Sequence, residues 1–258
     1  MEGISPQEAI DPLWIEKYEK QRDKIWHQLV DYNSSLFLLQ RIESFPFELL
    51  LPDPDDRIFW NLTKIALWER CIMIAWRVGV DDGNNTLTLK SLKNSIDKNL
   101  QDEKTRKQYR KNLKQGDFSN RIRDFSEKVR HVRNKYLAHI DREANTNPDP
   151  QDVIDFSLSS QDLQITLEIM RDLFDVICFN IQHSLWIWAY LGHEKHKTDI
   201  DELLDNVARN SPVFKTLENE PDVFYEFELA GYTDKDIETL NQFRRKFQMP
   251  EIHRPPAP

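Results

Sequence analysis

Residues 56–78, DRIFWNLTKIALWERCIMIAWRV, restrict the folds open to this chain more than any other stretch. Ile58, Phe59, Leu62, Ile65, Leu67, Trp68, Cys71, Ile72, Ile74, Ala75 and Trp76 fall nearly all round a helical wheel. Such a helix has no face to give to water, so it is expected at the centre of other helices or inside a membrane. The longest unbroken apolar run, CIMIAW at 71–76, is far below the roughly 20 residues that span a bilayer, which leaves enclosure by helices. Neighbouring patterns agree. From about residue 11 to 42, Trp14, Tyr18, Ile25, Leu29 and Leu36 step by four and seven, keeping one face inward. Strand-rich folds need many glycine-marked turns, and here glycine occurs 6 times in 258 residues. The expected fold class is all-α.

Further elements follow from local signals. The prolines of FPFELLLPDPDD separate the first two helices, and VDDGNNT makes a turn before a short helix over LKSLKNSIDKNL. A basic helix from about Glu103 to Leu113 ends at Gly116, and another is expected from about Ser119 to Asp141. Ser159, with Asp162 three residues later, forms a capping-box pattern that opens a long helix to about Leu191. Glu168, Arg171, Asp172, Asp175 and His183 inside that helix exclude a transmembrane reading. Beyond His196 come short acidic segments and a proline-rich tail. The expected organisation is a helical domain over residues 1–195, with four or five main helices, and a small helical appendage over 196–258. The N-terminal MEGISPQEAIDPLWIEK has neither a basic start nor an apolar stretch, so a cytoplasmic protein with no membrane association is expected. Cys71 and Cys178, each inside an apolar helical pattern, read as buried reduced thiols.

The net charge of −9 is unevenly spread. Residues 102–142 hold 13 Lys/Arg against 6 Asp/Glu, a local +7, and the remainder holds 22 against 38, or −16. A basic island in an acidic protein is the footprint of a polyanion partner, although a solvated basic helix face gives the same count.

That island ends in VRHVRNKYLAHIDRE, residues 129–143. At ~100° per residue from Val129, the side chains of Ile122, Phe125, Val132, Tyr136 and Ile140 fall within about 60° of it and form a buried stripe. Arg123, Arg130, His131, Asn134 and Lys135 fall about 100° or more away, on the wet side. Arg133 sits near +40°, inside the apolar arc, and His139 near −80°, on its shoulder. Arg133 has a structural role open to it as a snorkelling or salt-bridged residue, and His139 as a cation at a helix C-terminus. Together they also suit phosphodiester cleavage without a metal. The guanidinium grips a phosphate and neutralises developing charge, and an imidazole titrating near neutrality moves the proton. Six residues separate the two by ~9 Å along the axis and about 120° around it, so a site closed by a second copy of the helix, in a homodimer, is expected.

RNKYLAH, an Arg five residues before a His with Asn134 directly after the Arg, resembles the signature of the HEPN superfamily. The following AHIDRE, the apolar second helix ending in WRVGVDD, and TLTLKSL resemble its abortive-infection branch, found in bacterial defence against phage. The resemblance covers roughly residues 10–192. It implies a HEPN-like bundle that dimerises through the motif helices. It also implies metal-independent RNA cleavage by attack of the ribose 2′-hydroxyl, leaving a 2′,3′-cyclic phosphate and sparing DNA. Carried onto this chain, Arg133 and His139 are the catalytic pair and Asn134 supports the site. Arg130 and Lys135, beside them on the wet side, are expected to bind substrate. Some superfamily toxins carry a Tyr two residues past the His; Asp141 stands there here. No metal or cofactor is expected, since HEKH, with His193 and His196, has no Cys or second His pair beside it. An antitoxin or other regulatory partner is compatible with this reading. The reading from a different class is a non-catalytic HEPN module that binds RNA or a partner protein with the same face.

Overall fold

The computed structural model describes residues 5–80, 86–142, 159–179, 198–225 and 229–254, and over 131–142 it describes the backbone alone. Among these residues the regular structure is helical, and the one β feature is an isolated bridge between Ile10 and Leu100. The chain divides into two compact units, one of residues 1–40 with 65–193 and the other of residues 41–64 with 194–258.

The first unit opens with a short helix α1 (Pro6–Ala9) and the long α2 (Ile15–Glu43), which runs on into the second unit. Tyr18, Ile25, Leu29 and Leu36 are all buried, as their spacing requires. Trp14 precedes the helix in a turn and packs partly buried against the core. The chain then passes through α3 (Phe47–Leu50) and a 3-10 turn at Asp55–Arg57, both of the second unit, into α4 (Ile58–Gly79), which belongs to the first unit from residue 65 on. The second half of α4 buries Trp68, Cys71, Ile72, Ile74, Ala75 and Val78. The first two turns differ from the central helix expected: Ile58, Phe59 and Leu62 are 53%, 64% and 61% exposed, and only Trp60 there is buried, stacked on Phe47. Composition fixes how apolar a helix is, whereas enclosure depends on which neighbours reach it.

Helix α5 (Leu89–Lys98) starts at a capping box between Thr88 and Ser91. Helix α6 (Glu103–Gln115) starts where the Asp102 carboxylate accepts the Thr105 N–H at 2.8 Å, and ends at Gly116. Helix α7 (Phe118–Arg142) and helix α8 (Ser160–Ile177) complete the unit. The capping box expected at α8 is present, with Ser159 and Asp162 satisfying each other's backbone N–H groups. Two buried tyrosines brace the ends of α8: the Tyr32 hydroxyl donates to Leu163 C=O at 2.9 Å and that of Tyr109 to Ile177 C=O at 3.3 Å. The helix expected to reach about Leu191 instead stops at Ile177. Phe179 adopts a left-handed φ of 62°, and its ring sits 5.4 Å from that of Tyr109 and 6.3 Å from that of Tyr18. Residues 180–191 lie outside the described residues.

In the second unit the acidic C-terminal segments form α9 (Asp199–Arg209), α10 (Pro212–Asn219), a short α11 (Pro221–Val223) and α12 (Asp234–Lys246). Leu50 of α3 shares their core with Phe214, Phe224, Leu240 and Ile252. The Asn241 side chain clasps Ile252, accepting its N–H at 2.7 Å and donating to its C=O at 3.0 Å. Residues 41–64 thus belong with the C-terminal segments in one compact unit, a pairing the linear pattern does not show.

Within the first unit, α4 and α7 meet at Gly79. A Cβ built there would lie 1.9 Å from Cε1 of Phe125, and the Ser126 hydroxyl donates to the Gly79 carbonyl at 3.2 Å. Replacing a helical glycine with alanine ordinarily stabilises by about 1 kcal/mol, but overpacking a buried contact costs about 1–3 kcal/mol. Gly79→Ala is therefore expected to lower stability by up to about 2 kcal/mol, read as a lower urea midpoint, with Phe125→Leu restoring part of the loss. A raised midpoint would show this contact to be slack.

Candidate functional site

Helix α7 carries the motif, and its placement begins at the link from α6. Asp117 takes a left-handed φ of 49° and accepts a hydrogen bond from the Asn120 amide at 2.8 Å. Phe118, Ile122, Phe125 and Val129 then recur at steps of four, three and four, and all are buried, Val129 at 1% exposure. Arg123 and Arg130 are exposed on the other side. The wheel expected from the sequence is therefore realised through residue 130.

Two ion pairs hold this helix against α8: Arg121 with Asp172 at 3.3 Å and Lys128 with Asp162 at 2.6 Å. Asp162 belongs to the cap of α8 as well. The Lys128 ammonium and the Ser159 hydroxyl and N–H together hold its carboxyl down at about 2.

The backbone of α7 continues through Arg142, so Arg133, Asn134, Lys135 and His139 all ride on the same helix as Val129. Arg133 stands one turn beyond Val129, and His139 six residues further. The side chains of Val132, Arg133, Asn134, Lys135, Tyr136, His139 and Ile140 fall outside what the structure describes, as do His193 and His196.

Elsewhere among the described residues, burial pushes the Cys71 and Cys178 thiols up to about 12, so neither supplies a thiolate nucleophile at neutral pH. Both are buried and free, as their apolar contexts predicted. Among the described residues no group of three or more His, Cys, Asp or Glu is placed to hold a metal ion, and no helix is long and apolar enough to cross a membrane.

One feature of the basic island was not resolved by counting charge. A cleft of about 330 Å³ opens among Lys93 and Asp97 of α5, Arg110 and Lys114 of α6, and Ser119 of α7. Within it Arg110 forms a two-pronged pair with Asp97, both contacts 2.9 Å. The 3-4-3 spacing of Lys104, Lys107, Lys111 and Lys114 is the signal in the sequence that distinguishes a lysine face from these structural arginines.

The Asp162 latch gives a pH signature. A carboxyl whose folded pKa is depressed adds stability above its unfolded value, ~3.9, and that stability is lost as pH falls through the folded value. Asp162→Asn is expected to be less stable than the parent at pH 5 to 7, with the difference closing between pH 4 and 2 in acid titrations followed by circular dichroism. A gap that stays constant over that range would detach the carboxylate's charge from the latch.

Residues 15–206 match the family model HEPN_AbiU2, described as AbiU2. No curated protein and no solved structure matches the chain.

Proposed function

Because the chain belongs to the HEPN_AbiU2 family, an abortive-infection type of HEPN domain, we propose that it is a metal-independent endoribonuclease, a toxin or effector of bacterial defence against phage. The observation that carries this reading is the placement of both motif positions on one continuous helix, α7, whose rotation is fixed against the core up to Val129. The basic excess of residues 102–142 lies on that helix and on α6 before it.

In this reading the ribose 2′-oxygen attacks the adjacent phosphorus while His139 takes its proton. The bond from phosphorus to the 5′-oxygen breaks, that oxygen is protonated, and a 2′,3′-cyclic phosphate and a 5′-hydroxyl remain. Arg133 neutralises the charge that builds on the phosphate oxygens. Arg130, Asn134 and Lys135 hold the RNA. DNA is spared for want of the 2′-hydroxyl. Two copies of α7 packed motif to motif supply one His139 as base and His139 of the partner subunit as acid, which answers the wide angle between Arg133 and His139 on a single helix. The reading requires no metal or cofactor, places the enzyme in the cytoplasm, and leaves the segment after residue 195 for an antitoxin or regulatory partner. The second reading, a non-catalytic module binding RNA or a protein, is favoured by that same wide angle if the chain acts as a monomer.

The deciding experiment incubates the purified protein with a mixed RNA pool in excess EDTA, beside Arg133→Ala and His139→Ala, and analyses the 3′ ends. Wild type is expected to leave cyclic phosphates and to spare DNA of the same sequence. The His139 variant should cleave about 10²- to 10⁴-fold more slowly. Undiminished cleavage by either variant overturns the assignment, and RNA binding without cleavage by wild type transfers it to the second reading.

A further inference from the structure

Helix α6 divides its cations into two sets. Its arginines are committed to the fold. Arg106 bonds the Asp97 carbonyl through Nε at 3.1 Å and the Glu103 carboxylate at 2.8 Å, and Arg110 is paired with the Asp97 carboxylate. Lys104, Lys107, Lys111 and Lys114 are exposed, and among the described residues no hydrogen bond or salt bridge engages their ammonium groups. Buried Tyr109 and Leu113 face the core from the same helix and set its rotation.

The four lysines fall within an arc of about 80° and advance by ~4.5, 6 and 4.5 Å along the axis. That spacing is of the order of the separation between successive phosphates in a nucleic-acid backbone. Gln115 and Gln108 lie about 20° and 40° beyond one edge of the arc, and Glu103, paired with Arg106, about 20° beyond the other. The carboxylates beside it are occupied: Glu103 by Arg106, Asp97 by Arg110, and Asp102 by the α6 cap. At its C-terminal end Lys114 lines the 330 Å³ cleft together with Lys93.

We infer that the lysine strip Lys104–Lys107–Lys111–Lys114 is a docking track for the phosphodiester backbone of RNA, separate from the Arg133 and His139 positions. The inference rests on the RNA reading above for the identity of its ligand. A row of strongly hydrated ammonium groups on flexible stems suits sequence-independent contact with phosphates, because each charge finds its phosphate without a fixed geometry. Binding of this kind releases counterions, so its signature is the dependence of affinity on salt.

The test titrates a labelled 20-nucleotide single-stranded RNA in EDTA with the full chain, every protein carrying His139→Ala so that the probe stays intact. Lys→Gln at all four positions is expected to weaken binding about tenfold or more and to flatten the slope of log affinity against log salt by about 0.7 per lysine. Lys→Arg at the same positions should retain both, and circular dichroism should show equal helix content throughout. Unchanged affinity and slope in the Gln variant overturn the track, as does loss of binding in the Arg variant. So does a Gln variant that keeps RNA and loses only vesicles of anionic lipid or an acidic protein. Cleavage assays on chains with His139 intact report separately on the nuclease reading: absent cleavage with a salt-dependent lysine effect leaves the track standing, and normal cleavage without that effect removes the track alone.

Discussion

The close approach of α4 to α7 at Gly79 governs what the rest of the first unit can present. Phe125 lies over a position where any Cβ would collide, and the Ser126 hydroxyl takes the Gly79 carbonyl in the next residue. The first contact limits how bulky residue 79 can be, and the second ties α7 to the end of α4. A helix transmits rotation nearly without loss, since each residue is turned by ~100° from the last. An angular error at Phe125 would therefore reappear at Arg133 two turns later and at His139 beyond it. The ion pairs from Arg121 and Lys128 to α8 secure the same rotation from the opposite neighbour. The motif is thus held by residues that precede it, through a bundle in which α4, α7 and α8 share one core.

Elements governed by local chemistry were legible in the sequence. Gly116 and the Ser159–Asp162 pair mark helix ends through groups within four residues of each other, and the structure places the ends there. The stripe Ile122–Phe125–Val129 was legible for the same reason, as was the commitment of Tyr18, Ile25, Leu29 and Leu36 to the core. What escaped depends on distant partners. Nothing near Phe179 announces the end of α8, where its ring meets those of Tyr18 and Tyr109, far away in the chain. Leu50 gives no sign that its core companions are Phe214 and Phe224, more than 150 residues on. At the candidate site the register of Arg133 and His139 was legible because it is helical arithmetic. Whether a second copy of the helix closes a site around those positions is a question of a neighbour whose place no periodicity encodes.

Arginine and lysine perform different work in this chain, and the difference explains why a charge count alone could not locate a surface. The planar fork of Arg110 matches both oxygens of Asp97, and Arg106 satisfies the Asp97 carbonyl at the end of α5, so both tie α5 to α6. These positive charges are largely neutralised where they stand. The strip of lysines contributes little to packing, and its charge projects into solvent. A sum of 13 cations over residues 102–142 contains both kinds and does not separate them.

The acidity of the remaining chain gives that separation its consequence. A net −16 outside residues 102–142 repels a polyanion from other approaches, while the basic segment attracts it. At physiological ionic strength the attraction reaches about 8 Å, so under the proposed reading it would act only on a strand already close to α6 or α7. Repulsion over the larger surface and attraction over a narrow one would orient such a strand before any side chain grips it. A uniformly basic protein would bind RNA more tightly, but in many registers. On the proposed RNA reading, an acidic protein with a basic strip would give up affinity for direction.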